Sequence, residues 1–169
     1  MGLNKGFTLL ELIIVIAIIG ILATLGLTSF TGAQQKARDT KRKGDLKAIQ
    51  NAVEQYFTDN GGYPDTGGAW WGVCSDFGSH ADTGVNGYIP NLAPKYIQRL
   101  PHDPRENQAG LCSATSSCYL YKSNVVDYKL LANCTPETIS TPNPSDPFYD
   151  PIRQTTAFQV SSSDVSYQW

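Results

Sequence analysis

The sequence predicts an α+β fold in which one long N-terminal helix packs on a small antiparallel β-sheet. No proline occurs between Met1 and Asn60, so nothing interrupts a helix over that length. Apolar residues recur at helical spacing in its second half and form one stripe: Leu46, Ile49, Val53, Tyr56 and Phe57. Residues 118–123 and 128–133 alternate in polarity and flank a short turn, which indicates paired strands.

An apolar run covers residues 7–27 and contains one charged residue, Glu11. It is long enough to cross a bilayer, which takes about 20 apolar residues. A carboxylate in such a run costs about 2.5–3.5 kcal/mol, so we expect Glu11 to have a partner. Gly20 and Gly26 lie in the same run, where glycine allows close helix packing or local unwinding.

The helix is predicted to continue to Asn60-Gly61-Gly62, a sequence typical of a helix end. Six bases lie on its middle part: Lys36, Arg38, Lys41, Arg42, Lys43 and Lys47. Asp39 and Asp45 interrupt them and no aromatic residue accompanies them. We therefore interpret these bases as a solvated helix face or a contact between subunits, rather than a nucleic-acid site. The net charge of −2 agrees with this interpretation.

After the helix, residues 66–87 read as a long ordered loop that Cys74 ties down. Residues 88–104 read as a short helical segment ended by prolines. The two paired strands follow, then a Pro- and Ser-rich surface loop over 135–153, and a third strand over 157–161.

Four cysteines, Cys74, Cys112, Cys118 and Cys134, favour disulfides and an oxidising compartment. Three connectivities are possible. The closeness of Cys112 and Cys118 favours a bridge between them, with Cys74 joined to Cys134; four unpaired buried thiols are the alternative. The bases that follow the apolar run conflict with this compartment, because the positive-inside rule places them in the cytoplasm.

The segment Lys5-Gly6-Phe7-Thr8-Leu9-Leu10-Glu11, leading an apolar stretch, resembles the N-terminal signal of type IV pilins and type II secretion pseudopilins. The resemblance lies in the base, the Gly, the Phe and the Glu at the fifth position counted from that Phe. It is strong over residues 5–30 and weak over the C-terminal part.

The resemblance implies a leader peptide over 1–6, a transmembrane and filament-core helix over 7–30, and a periplasmic or extracellular headpiece over 31–169. A prepilin peptidase would cut between Gly6 and Phe7 and methylate Phe7. The subunit would sit in the cytoplasmic membrane with its N-terminus inside, and then polymerise with other copies on an inner-membrane assembly platform. Glu11 would pair with the N-terminal amine of a neighbouring subunit.

No catalytic or phosphate-binding motif occurs, so we expect no enzyme and no cofactor. His80 and His102 lack the spacing of a metal-binding pair. Some pseudopilins bind calcium through a C-terminal loop, and Asp146, Asp150 and Asp164 are weak candidates here.

The main hypothesis is therefore a structural pilin or pseudopilin subunit. A minor pilin that binds DNA or a surface through Trp70, Trp71 or the basic cluster is the first alternative. A secreted enzyme with an ordinary signal peptide, cut after Ala33, is the second.

Overall fold

The computed structural model describes residues 6–106, 108, 112–113, 115–139 and 141–169, without the side chains of 24–29. Most of the predicted leader, including Lys5, lies outside the described residues. The chain divides into two compact units, Met1–Ala37 and Arg38–Trp169. Helix α1, Leu9–Asn60, runs through both, and its backbone stays helical past Gly26.

The first unit exposes the apolar face of the early helix. Its large hydrophobic side chains from Phe7 to Leu22 are 45% to 81% exposed. Among the described residues, no helix has both the length and the hydropathy that crossing a membrane requires.

In the second unit, the predicted stripe of α1 packs against the sheet. Leu46, Ile49 and Val53 are fully buried, while Phe57 stays 39% exposed. The helix ends where the sequence predicts. Gly61 has a φ of 74° and donates its N–H to the Phe57 carbonyl at 2.8 Å, as expected for glycine after the last helical residue.

The sheet has five antiparallel strands in the order β1-β2-β3-β5-β4. Their bounds are β1 Trp71–Gly72, β2 Cys118–Ser123, β3 Tyr128–Asn133, β4 Tyr149–Asp150 and β5 Gln154–Ser161. The helix α2, Asp164–Tyr167, follows β5. The α+β prediction is confirmed, and β2 and β3 have the predicted bounds.

Both faces of the sheet are covered. Tyr119, Tyr121 and Leu130 face α1, whereas Leu120 and Leu131 belong to a second cluster with Cys74 and Cys118. The loop of residues 66–87 covers this second face and contains β1 and the one-turn 3₁₀ helix Ser75–Phe77.

Two segment predictions are wrong. Residues 88–104 form turns instead of a helix, because Pro90 and Pro94 supply no N–H and Asn91 adopts a left-handed φ of 60°. Residues 135–153 are not simply a surface loop, since they include β4 and pack Glu137 against α1.

Candidate assembly site

Glu11 closes the first turn of α1 through a reciprocal cap with Thr8. The Thr8 N–H and hydroxyl both donate to Glu11 Oε2 at 2.8 Å, and the Glu11 N–H donates to Thr8 Oγ1 at 3.2 Å. This is a capping box, which satisfies N–H groups that a helix start leaves without partners. Among the described residues, Oε1 accepts no hydrogen bond.

Sequence reasoning missed this cap, although its signal is present: Thr8 precedes Glu11 by three positions at the start of an apolar run. The partner expected for Glu11 is therefore partly supplied by its own chain. The carboxylate also lies at the helix N-terminus, where the helix dipole favours negative charge.

The predicted cleavage junction lies just outside the helix. Gly6 and Phe7 precede α1, are not helical, and are exposed, Phe7 by 81%. A peptide bond in this state can enter a protease site without helix unwinding.

A buried ionic cluster holds α1 to the loops of the headpiece. Arg42 is fully buried and donates to both carboxylate oxygens of Asp103, at 2.7 and 3.1 Å. It also reaches Asp39 at 2.7 Å and Glu137 at 2.9 Å. The Arg42 cluster, as we name it, consists of Arg38, Asp39, Arg42, Asp103, Arg105 and Glu137.

The electrostatics of this cluster agree with its geometry. Hydrogen bonds from Arg38 lower the pKa of Glu137 to about 2. Burial opposes this shift, whereas the hydrogen bond and charge of Arg42 add to it. Burial lowers the pKa of Arg42, but the hydrogen bond and the charge of Asp103, with hydrogen bonds to Glu137 and Asp39, raise it more. The interpretation of these bases as a solvated face is thus wrong for Arg42, whose charge is used inside the headpiece.

Two disulfides join the cysteines, in pairs other than those favoured from spacing. Cys74 bonds Cys118 and Cys112 bonds Cys134. The pairing of Cys112 with Cys118 is wrong because Cys118 points into the cluster beneath the 66–87 loop, where Cys74 lies. The first bridge fixes that loop on the sheet.

Comparison with known proteins assigns the chain to a protein family. The family model for the prokaryotic N-terminal methylation motif matches residues 1–27. Type II secretion system core protein G of Aeromonas hydrophila is 36% identical over 114 residues, covering 62% of this chain and 69% of that protein. The Escherichia coli K12 protein of the same name is 38% identical over 109 residues, covering 62% and 68%. The chain belongs to the type IV pilin and type II secretion pseudopilin family.

The type IV major pilin protein PilA of Myxococcus xanthus is also similar, at 42% identity over 62 residues. That match covers 37% of this chain and 28% of the pilin. No solved structure matches the chain significantly. Pilins and pseudopilins are non-enzymatic structural proteins, so the chain is not an enzyme, and the alternative of a secreted enzyme is set aside.

Two of the three calcium candidates, Asp146 and Asp150, form ion pairs within the chain. Asp146 pairs with Lys43 at 2.6 Å, and Asp150 pairs with the fully buried Lys129 at 3.1 Å. Asp164 is an exposed residue in the first turn of α2. In the described part of the chain, no three His, Cys, Asp or Glu side chains are placed to hold a metal ion.

The two tryptophans of the minor-pilin alternative make contacts within the chain. Trp71 pairs with Tyr121 in the sheet and stacks on His80 at 4.0 Å. Trp70 is half-buried, and its ring lies 5.1 Å from the Arg153 guanidinium.

The ring nitrogens of His102 contact two carboxylates. Nδ1 lies 2.7 Å from Glu106 Oε2, and Nε2 lies 3.1 Å from Asp82 Oδ2.

Proposed function

We propose that this chain is a structural subunit of a type II secretion pseudopilus. The relatives named core protein G support the pseudopilus rather than the pilus, since they align over 62% of this chain against 37% for the pilin. The observation that carries the proposal is the exposed apolar helix with one carboxylate, Glu11, in its first turn.

Processing would begin at the exposed junction before α1. A prepilin peptidase removes residues 1–6 by cutting between Gly6 and Phe7, and it methylates the new amine of Phe7. Before assembly the subunit resides in the cytoplasmic membrane, anchored by residues 7–30. Its headpiece, residues 31–169, lies outside, which suits the two disulfides because they need an oxidising compartment.

Assembly would bury the exposed apolar side chains of α1 against other copies on the inner-membrane platform. Lipid and filament core are both apolar, so van der Waals packing between neighbouring helices would favour association when the helix leaves the lipid for the filament. The Phe7 amine of one subunit then donates to Glu11 of the next. Because Thr8 donates only to Oε2, Oε1 has no donor among the described residues and would be the acceptor for this amine.

The mature N-terminus tests the processing step. Mass spectrometry of the protein purified from the membrane should give an N-terminal peptide that starts at Phe7 and carries one added methyl group. A mature chain that starts at Gln34 would show ordinary signal cleavage and contradict the proposal.

A pair of variants tests the role of Glu11. Glu11→Gln keeps the size of the side chain and its ability to accept from Thr8, but removes the charge. It should be processed and reach the membrane normally, while the yield of sheared filaments falls at least tenfold. Asp45→Asn, which neutralises an acid of the headpiece, is the control and should assemble normally. Normal filament yield from Glu11→Gln would refute the pairing.

A further inference from the structure

Two separate loops close on Arg42. One, residues 103–106, brings the Asp103 carboxylate to the guanidinium at 2.7 and 3.1 Å. The other, residues 135–138, brings Glu137 to it at 2.9 Å. We name them the first and the second clamp loop. Because Arg42 is fully buried, separation of either loop would leave its charge with fewer partners.

A disulfide and an ion pair join the two clamp loops to each other. Cys112, which follows the first clamp loop, bonds Cys134, which directly precedes the second. Arg105 in the first clamp loop lies 3.4 Å from Glu137 in the second. The sheet fixes the Cys134 end, because Cys134 follows β3 and its N–H donates to a carbonyl of β5 at 2.7 Å. A tether raises the effective concentration of one group beside another, so the bridge favours closure of the two clamp loops.

The two disulfides of the chain differ in exposure. Cys112 is exposed, and its partner Cys134 is 6% exposed. Cys74 and Cys118 are each 0% exposed beneath the loop of residues 66–87. Thiol–disulfide exchange requires that an attacking thiolate reach one of the two sulfurs. A reductant can therefore attack Cys112 in the folded protein, whereas it reaches the other bridge only after the covering loop opens.

We infer that the disulfide between Cys112 and Cys134 is a redox latch on the Arg42 cluster. In the oxidised protein it keeps both clamp loops closed on Arg42. In the reduced protein only non-covalent contacts hold the clamp loops together, so they separate more often, while the sheet and the buried bridge stay intact. The second compact unit therefore holds α1 fully only in an oxidising compartment. The latch does not depend on which filament the chain enters, so failure of the proposed function would leave it standing.

The latch opens by a two-electron exchange with a dithiol. One thiolate of the dithiol attacks Cys112 Sγ, the bond between the two protein sulfurs breaks, and Cys134 leaves as a thiolate. The second thiolate of the dithiol then attacks its own sulfur in the mixed disulfide and releases Cys112 as a thiolate. The dithiol is thereby oxidised to a cyclic disulfide, and its two protons pass to the two protein thiolates.

Selective reduction is the first test. The full-length chain in detergent micelles is treated with dithiothreitol, and free thiols are alkylated at successive times and mapped by mass spectrometry. Cys112 and Cys134 should become free roughly tenfold faster than Cys74 and Cys118, because only the first bridge is accessible. In concentrated urea the two rates should converge. Equal rates in the folded protein, or faster release of Cys74 and Cys118, would overturn the inference.

Hydrogen exchange tests whether loss of the bridge loosens the clamp loops. The amides of residues 105, 106, 137 and 138 all donate hydrogen bonds in the oxidised protein. In the double variant Cys112→Ser with Cys134→Ser they should exchange roughly fivefold faster, because the clamp loops open more often. The amides of α1 from Leu46 to Val53, beneath the sheet, should keep their rates. Unchanged exchange in both clamp loops would show that the ion pairs alone keep them closed, and would refute the latch.

A double-mutant cycle tests whether the bridge acts through the Arg42 cluster. Removing the bridge with the two serine substitutions should raise the unfolding equilibrium constant less in a Glu137→Gln background than in the wild-type protein, because the bridge acts partly by supporting the pairs of Glu137. Asp59→Asn is the control background. It neutralises an acid whose side chain is 51% exposed near the end of α1, and it should leave the effect of bridge removal unchanged. Equal effects in all three backgrounds would mean that the bridge acts independently of the cluster.

Discussion

The Arg42 cluster predicts a large loss of stability when its central cation is removed. Arg42→Met keeps an unbranched apolar side chain out to the position of Nε but removes the guanidinium, which leaves Asp103, whose side chain is 0% exposed, with a single described donor, the Arg105 N–H at 2.8 Å. Glu137 keeps Arg38, and Asp39 keeps the N–H groups of residues 137 and 138. The cost therefore falls on Asp103.

Removing one partner of a buried ion pair costs about 3–5 kcal/mol. For the compact unit Arg38–Trp169, this corresponds to a decrease in melting temperature of about 10–20 °C. The assay is thermal and urea unfolding of the full-length chain in detergent, followed by the fluorescence of its tryptophans. Lys41→Met removes a pair with Asp45 in which the lysine is 52% exposed, and it should cost less than about 0.5 kcal/mol.

A second substitution makes the reasoning refutable even if Arg42→Met unfolds easily. Asp103→Asn should destabilise the wild-type protein, because it weakens the pair with Arg42. In the Arg42→Met background it should instead stabilise the protein, because it removes an uncompensated buried charge. If Asp103→Asn has the same sign in both backgrounds, or if Arg42→Met costs less than about 1 kcal/mol, the cluster is not a buried ionic tie.

Three further predictions follow from the same contacts. The Glu137 pKa of about 2, against 4.5 ordinarily, means that about 3 kcal/mol of stability present above pH 4.5 is lost as pH falls toward 2; Glu137→Gln should flatten this part of an unfolding profile against pH. Non-reducing peptide mapping should find the separate bridges of Cys118 and Cys112, and Cys118→Ser should cost about 4 kcal/mol in urea unfolding; a peptide joining these two cysteines would contradict the fold. Thr8→Val should lower filament yield less than Glu11→Gln does, measured by shearing, and an equal loss would mean that the cap, not the charge, matters.

The sequence predicted the elements that are long enough to show a periodic pattern of apolar residues. The helix end at Asn60 follows from Gly61, and β2 and β3 follow from six-residue alternation on a sheet. The edge strands β1 and β4 have two residues each, which is too short for any period to appear. They exist because of tertiary pairing, such as that of Trp71 with Tyr121.

The residues of the candidate site also fall into those that a local sequence pattern predicts and those that only the fold brings together. Glu11, Gly6 and Phe7 are recognisable because their signal is local, and the missed cap of Thr8 is local too. The Arg42 cluster joins residues 61 and 95 positions apart, and no single-sequence pattern links them. The cysteine pairing failed for a related reason: closeness along the chain was taken for closeness in space, whereas the side of the sheet that each cysteine faces decides its partner.

The Thr8 cap changes what assembly must achieve at Glu11. If the carboxylate had no partner in the lone subunit, relief of its burial cost would drive pairing with the neighbouring amine. With Oε2 already bonded twice by Thr8, part of that cost is met before assembly. The amine then adds an interaction at Oε1 to a carboxylate that already accepts hydrogen bonds. Glu11 should therefore fix the position of one subunit relative to the next, while packing between the apolar side chains of neighbouring α1 helices favours association.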